Sequence, residues 1–283
     1  IGCIGTDGVC RSIRSLIAKA KALEEEGIST YCYTGSYEIP VMTITASIKG
    51  DLMMVDKIIG VGEIALSDHR SSQATFEQFV NTVAQARVGG LLSGKAGIVN
   101  IHLGDGARKL EYLVKTIEET EIPATQMLPT HINRSDKLFD VGLEYAKKGG
   151  FIDFTTSSDP NYLEPGELRA SEALAIAIEQ GVDISHITFT SDGNGSMPIF
   201  DEHGKLSGLG ICKVSSLYEE VKTAMKEKNV PIEKALKVIT SNPANLLKLE
   251  YKGSIEKGKD ADLVIINEEN INIDTVIAKG NVV

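Results

Sequence analysis

The chain has 283 residues, 42% of them apolar, and a formal net charge of −10 at pH 7. That charge argues against a nucleic-acid partner, whose phosphates call for clustered Lys and Arg, while leaving room for a small anion gripped by a few local arginines. No apolar run approaches the ~20 residues that a bilayer span needs; with aromatics at 5% and no Trp, the core must rest on Ile, Leu, Val and Ala.

The opening stretch, residues 1–6, has no initiator Met and no charged leader, so it does not read as a signal peptide. It reads as an interior strand, which suggests that the sequence begins part-way through a protein. Further short, β-branched runs follow at 29–35, 57–63, 97–102, 125–131, 151–157 and 187–192. Helical patterns lie between them at 12–26, 73–88, 107–119, 136–148 and 167–180, the first stopped by Gly27 and the last two by Gly149 and Gly181. This alternation predicts a parallel α/β sheet, and the length suits one TIM-type (β/α)8 barrel of about 250 residues. Seven strands are one short of eight, and an open seven-strand sheet would expose edges, so the missing strand is expected upstream of Ile1. Helices near 213–227, 231–240 and 243–248 then lead to strands at 261–267 and 275–278, outside the βα rhythm. The predicted division is a barrel over 1–250, incomplete at its N-terminus, and the C-terminal part of a small β-sandwich domain over 251–283. Cys3, Cys10, Cys32 and Cys212 form no C-x-x-C pair and read as reduced thiols of a cytoplasmic protein.

Four of these strands end in residues with chemistry to offer: Glu63, His102, His131 and Asp192. A barrel unit is roughly 30 residues, so the spacing fits three consecutive strands and then a skipped one. C-terminal strand ends converge on one mouth, where two imidazoles and two carboxylates make a donor set for Zn²⁺ or a similar divalent ion. Such an ion polarises a carbonyl and lowers the pKa of bound water towards ~7, which suits amide hydrolysis. A lone His after a strand is more often a hydrogen-bonded structural residue; four metal-compatible ends in phase are what carry the reading. Of the other histidines, His186 and His203 read as solvated, and His69 as a loop residue or an outer partner of the site.

At these residues the sequence resembles the amidohydrolase superfamily and, within it, the isoaspartyl dipeptidases. The matches are GTDG at 5–8, YTGSYEIP at 33–40, SDHRS at 67–71, RVGGLLSGKAG at 87–97, LPTHINR at 128–134, the Gly149–Gly150 turn and SDGNGS at 191–196; the tail GSIEKGKDADLVIIN at 253–267 is the generic superfamily ending. The resemblance implies hydrolysis of the isopeptide bond of β-aspartyl dipeptides by a metal-activated hydroxide, with two Zn²⁺ per complete site. It implies that His102 and His131 bind one ion, and that Asp192 ligates the other and shuttles a proton from water to the leaving amine. Tyr37 would donate to the oxyanion, Arg70 and Arg134 would grip substrate carboxylates, and Thr6 and Ser196 would add polar contacts. It also implies a homo-oligomer, an octamer in the family.

Two departures stand out. The family's carboxylated Lys is here Glu63, a shorter carboxylate that needs no CO2, and the nearest lysine, Lys57, sits at the wrong end of its strand. The superfamily's His-x-His pair is absent, since none of the five histidines is spaced i, i+2; as written, the chain is not expected to assemble the full site. Two further readings keep the fold: a cyclic amidohydrolase of the dihydroorotase or hydantoinase type, and a non-catalytic binding or assembly homologue. Gly89–Ala96 satisfies G-x-x-x-x-G-K but lacks the Ser/Thr of a P-loop and follows a helix where a P-loop follows a strand. There is no G-x-S-x-G elbow, and the acidic turn at 192–195 lacks the later ligands of a calcium loop.

Overall fold

In the computed structural model, which describes residues 1–158, 163–201, 203 and 205–283, the apolar runs become short parallel strands. β1 (Cys32–Thr34), β2 (Ile58–Leu66), β3 (Ile98–Leu103) and β4 (Met127–Thr130) lie side by side in chain order. β5 (Ile152–Thr155) pairs in parallel with β6 (Ile187–Thr190). The helix α1 (Ile13–Glu25) precedes β1, and one helix follows each strand up to β5: α2 (Ile48–Met54), α3 (Phe76–Ser93), α4 (Glu111–Glu119), α5 (Asp136–Lys147) and α6 (Ala170–Glu179). All nine residues of β2 and all six of β3 are buried, as expected of strands covered on both faces. This is the wall of a TIM-type barrel.

Local chemistry explains the helix ends. Ser12 and Ser15 form a capping box on α1, and Thr75 and Gln78 form one on α3, each satisfying amides that no helical carbonyl can reach. Gly94 closes α3 in the left-handed conformation, φ 68°. The lysine of the G-x-x-x-x-G-K stretch serves the fold: Lys95 Nζ donates to Leu52 O and Val55 O, both at 2.7 Å, and so caps the C-terminus of α2.

The structure departs from the sequence reading in three places. Residues 1–6 contribute a single parallel bridge, Gly2 to Cys32, and no full strand; Gly5, at φ 73°, turns the backbone away just after Ile4. The short α2, which holds Gly50 inside its seven residues, was not foreseen. Nor was the antiparallel hairpin of β7 (Ser196–Phe200) and β8 (Leu206–Ile211). After it come α7 (Ser216–Lys226), α8 (Ile232–Lys237) and α9 (Ser241–Leu246). The tail forms an antiparallel sheet of β9 (Leu263–Ile266), β10 (Ile273–Ala278) and β11 (Asn281–Val282), in the order β11-β10-β9. Among the described residues, no helix is long and apolar enough to cross a membrane.

Between β4 and β5 the wall is held by side chains, with no backbone ladder among the described residues. The buried Asn133 amide takes both backbone groups of Thr155, accepting from its N–H at 2.8 Å and donating to its C=O at 3.0 Å, as a neighbouring strand would. Below it, the fully buried Asp153 accepts from Thr130 Oγ1 of β4 at 2.6 Å and from Thr188 and Thr190 of β6 at 2.7 Å each. One carboxylate thus ties three strands together.

Candidate metal centre

Glu63, His102 and His131 meet beyond the barrel core with one ligand atom each, all within 4.8 Å of one another, and all three residues are buried. Glu63 reaches this point from a bulge, because the register of β2 against β3 slips between Val61 and Ile64, and a bulge re-aims the side chain. Gly62 makes the bulge feasible: its φ is 150°, and a Cβ there would stand 2.9 Å from Asn100 O. His102 comes from β3. His131 caps β4 at φ 64°, a conformation uncommon outside Gly, Asn, Asp and His.

Glu63 Oε1 lies 3.5 Å from His102 Nδ1 and 3.3 Å from His131 Nε2. The nitrogen of each ring that faces away is also engaged: His102 Nε2 is 3.0 Å from Asp68 Oδ2, and His131 Nδ1 is 2.6 Å from Thr155 Oγ1. Metal-ligating imidazoles are ordinarily held in this way. A carboxylate between two imidazole nitrogens, in reach of each and buried, fits a divalent cation of the zinc class. Burial pushes His131 down to about 4, so its ring is neutral at pH 7. Burial opposes ionisation of Glu63 too, but the imidazoles of His102 and His131 beside it prevail and hold its carboxyl well below the usual range.

These residues open into a cavity of about 1600 Å³, and all nine residues nominated from the sequence line it: Thr6, Tyr37, Glu63, Arg70, His102, His131, Arg134, Asp192 and Ser196. Asp192 stands outside the three-donor cluster. It follows β6 at φ 47°, in a turn pinned to the hairpin by Asn194 N to Cys212 O at 3.0 Å and Cys212 N to Gly195 O at 2.9 Å. Desolvation by the cavity walls and then the charge of Glu63 raise its pKa to about 6; a bound cation would reverse that sign.

Tyr37 is buried, and its hydroxyl is 2.8 Å from His102 Nδ1. Burial holds its phenol well above the ordinary value, so it keeps its proton as a donor. Arg70 forks onto Asp68, and its guanidinium carbon is 5.7 Å from the centre of the Tyr37 ring. Arg134 donates to Leu103 O at 2.7 Å. Thr6 and Ser196 sit at the exposed rim. His69 is 90% exposed, 3.7 Å from Asp68. His203 lies exposed in the turn of the hairpin. His186 is half-buried, where a solvated ring was expected: Nδ1 lies 2.9 Å from Gly150 O, and the ring stacks on Phe151. Lys57 reaches Glu24 and Thr30 O at the strand start, far from the centre. Asp68 and Thr155 carry no expected role in the sequence; the signal for Asp68 is a carboxylate two residues before a candidate anion-binding Arg, while Thr155 leaves none.

Known proteins resemble this arrangement. The model of the amidohydrolase family matches residues 60–283. A beta-aspartyl dipeptidase from Fervidobacterium islandicum AW-1, solved in complex with beta-Asp-Leu dipeptide, is 48% identical; the match covers 99% of this chain and 71% of that one, with a TM-score of 0.91. An adenine deaminase at 14% identity, covering 94% of this chain and 74% of its own, shares the fold with a TM-score of 0.60. An allantoinase from Bacillus licheniformis is 34% identical over 88 residues, which are 31% of this chain and only 18% of the allantoinase. With donors gathered where parallel strands end, and with these relatives, the chain belongs to the amidohydrolase family.

Proposed function

We propose that the protein is a metal-dependent dipeptidase that hydrolyses the isopeptide bond of β-aspartyl (isoaspartyl) dipeptides. The observation that carries this reading is the buried Glu63–His102–His131 cluster facing a cavity that Arg70 and Arg134 also line. The 48% identical neighbour, solved with beta-Asp-Leu, supports the substrate class. Zinc is the ion proposed, two per complete site, with Glu63 in the place of a carboxylated lysine and Asp192 as a further ligand. When bound, the metal supplies Lewis acidity and a water acidic enough to attack near neutral pH.

The chain's own residues do the rest. Arg70 and Arg134 hold the substrate carboxylates, for which a guanidinium fork is well shaped. The Tyr37 hydroxyl, directed at His102 Nδ1 in this structure, becomes free to donate to the developing oxyanion once that nitrogen is engaged. Asp192 takes the proton of the attacking water and returns it to the departing amine. Thr6 and Ser196 border the dipeptide. In this reading residues 1–250 form the barrel and 251–283 the C-terminal part of a small β-domain, and the protein is cytoplasmic and assembles as a homo-oligomer, an octamer.

Metal analysis and hydrolysis assays on the intact protein test the reading. Zinc-dependent cleavage of β-Asp-Leu with no turnover of dihydroorotate is the expected result. Turnover of dihydroorotate alone would transfer the assignment to a cyclic amidohydrolase; a metal-free protein inert to both would make it a binding homologue.

A further inference from the structure

Asp68 lies in the turn after β2, and its side chain is 3% exposed. Both its oxygens are engaged. Oδ1 accepts from the Arg70 backbone N–H at 2.7 Å and from Arg70 Nε at 3.0 Å. Oδ2 accepts from Arg70 Nη2 at 2.7 Å and faces His102 Nε2 at 3.0 Å. Arg70 Nη2 and Arg134 Nη1 also lie 3.0 and 3.4 Å from that ring nitrogen, but both guanidiniums direct hydrogens to oxygen, on Asp68 and on Leu103. The consistent tautomer of His102 carries its proton on Nε2 and donates it to Asp68. Nδ1 is then left as an acceptor for Tyr37 Oη at 2.8 Å, on the side where Glu63 stands.

The turn is braced to hold this carboxylate in place. Gly104 N donates to Leu66 O at 3.1 Å, Gly106 N to Ser67 O at 2.7 Å, and Ser67 Oγ to Lys109 O at 2.7 Å. These bonds tie the turn after β2 to the loop after β3, the strand that carries His102. The approach is close enough to require glycine: a Cβ on Gly104 would stand 2.7 Å from Asp68 Oδ2.

We propose that Asp68 is a positioning residue that couples the metal centre to the substrate grip, one carboxylate fixing the imidazole of His102 and aiming the guanidinium of Arg70. This rests on the metal-centre reading above. Thr155 holds His131 from the outside in a comparable way, through Nδ1 at 2.6 Å, leaving Nε2 towards Glu63. An amide cannot replace Asp68, because it offers one acceptor oxygen where two are used. With its oxygen towards Arg70, its NH2 faces His102 Nε2 and forces the ring proton onto Nδ1, the ligand atom. Turned over, the NH2 faces the guanidinium instead. Because the link is energetic, it is reciprocal: a dicarboxylate on Arg70 and zinc on His102 each change the affinity of the other.

The intact protein, wild type and as Asp68→Asn, Arg70→Ala and Thr155→Val, is compared by chelator-competition zinc affinity, by KM and kcat for β-Asp-Leu, and by the ¹⁵N shifts of the histidine rings without metal. Asp68→Asn is expected to lose on both sides: zinc affinity about 10- to 100-fold and KM raised about tenfold, the effect of one charged hydrogen bond. Arg70→Ala should raise KM more than it weakens zinc, because it frees Asp68 without removing its bond to His102, and Thr155→Val should weaken zinc alone. The wild-type spectrum, which needs no variant, should show His102 protonated at Nε2. A wild-type ring protonated at Nδ1, or a folded Asp68→Asn protein that keeps either its zinc affinity or its KM within about twofold, overturns the proposal. Should Asp68→Asn not fold, Gly104→Ala displaces the same carboxylate, and an unchanged zinc affinity or KM there overturns it equally. A wild-type protein that takes up no zinc refutes the metal centre itself, and the coupling falls with it.

Discussion

Asp153 illustrates what one carboxylate costs and contributes inside a barrel. It is 0% exposed and bonded to three threonine hydroxyls, yet burial still pushes its pKa up from 3.8 to about 7. The folded protein therefore binds a proton here that the unfolded chain has already released above pH ~4. The sign follows: this group's contribution to stability is fully present below pH ~4 and is lost as pH rises through about 7, at about 1.4 kcal/mol per pH unit between those limits. Asp153→Asn, which mimics the protonated form, should match the wild type in denaturant midpoint near pH 4. It should become the more stable of the two at pH 8; equal pH dependence in both would show that Asp153 is not the titrating group. The nominated site residues were legible individually because each ends a strand or sits in a motif. Thr155 was not, because a threonine in a strand looks the same whether it fills space or holds an imidazole. The three-to-one departure of the donor cluster, with Asp192 apart, was hidden for another reason: sequence spacing places strand ends at a common mouth but does not set side-chain reach.

At the scale of elements, the helices other than α2 were legible from periodicity and their stop residues, and all six strands β1 to β6 from their β-branched runs and turn signals, each overlapping a predicted run. The elements missed were those with weak local signals. α2 is seven residues long and carries Gly50, and the hairpin of β7 and β8 follows a Gly-rich turn that had been read only for its chemistry. Residues 1–6 were over-read, because a Gly-x-x-Gly spacing leaves too few residues for a ladder. The junction of β4 and β5 could not be read at all, since Asn133 looks like a loop residue in the sequence. Its amide nonetheless serves Thr155 N, Thr155 O and Leu168 O. Asn133→Leu should destabilise the fold by about 1–3 kcal/mol for each of these buried groups left without a partner. Hydrogen exchange should localise the loss to β5. A change within about 0.5 kcal/mol, or one spread evenly over the chain, would show that the junction is held by other means.

For the whole molecule, a net charge of −10 surrounds a cavity lined by Arg11, Lys19, Arg70 and Arg134, so recognition of the proposed anionic substrate would depend on a local field opposed to the global one. Zinc should also act as a structural ligand. At free zinc of about 100 times its Kd, binding to the native state alone adds about 2.7 kcal/mol, which for a chain of this size is about 5–10 °C in Tm. Thermal scans with and without chelator measure this directly, and a Tm indifferent to zinc would argue that the donors are not organised in the native state. Because His131 is already neutral at pH 7 and Glu63 ionised, that gain should persist across neutral pH.

The three buried donors share one further property. Glu63 and His102 lie in the first sheet, β1 to β4, and His131 directly follows it, whereas Asp192 follows the ribbon of β5 and β6 across a junction stitched by side chains. The proposed ligands and the proposed proton carrier therefore come from two separately paired sheets, and the gap between them is set by the side chains of the junction between β4 and β5.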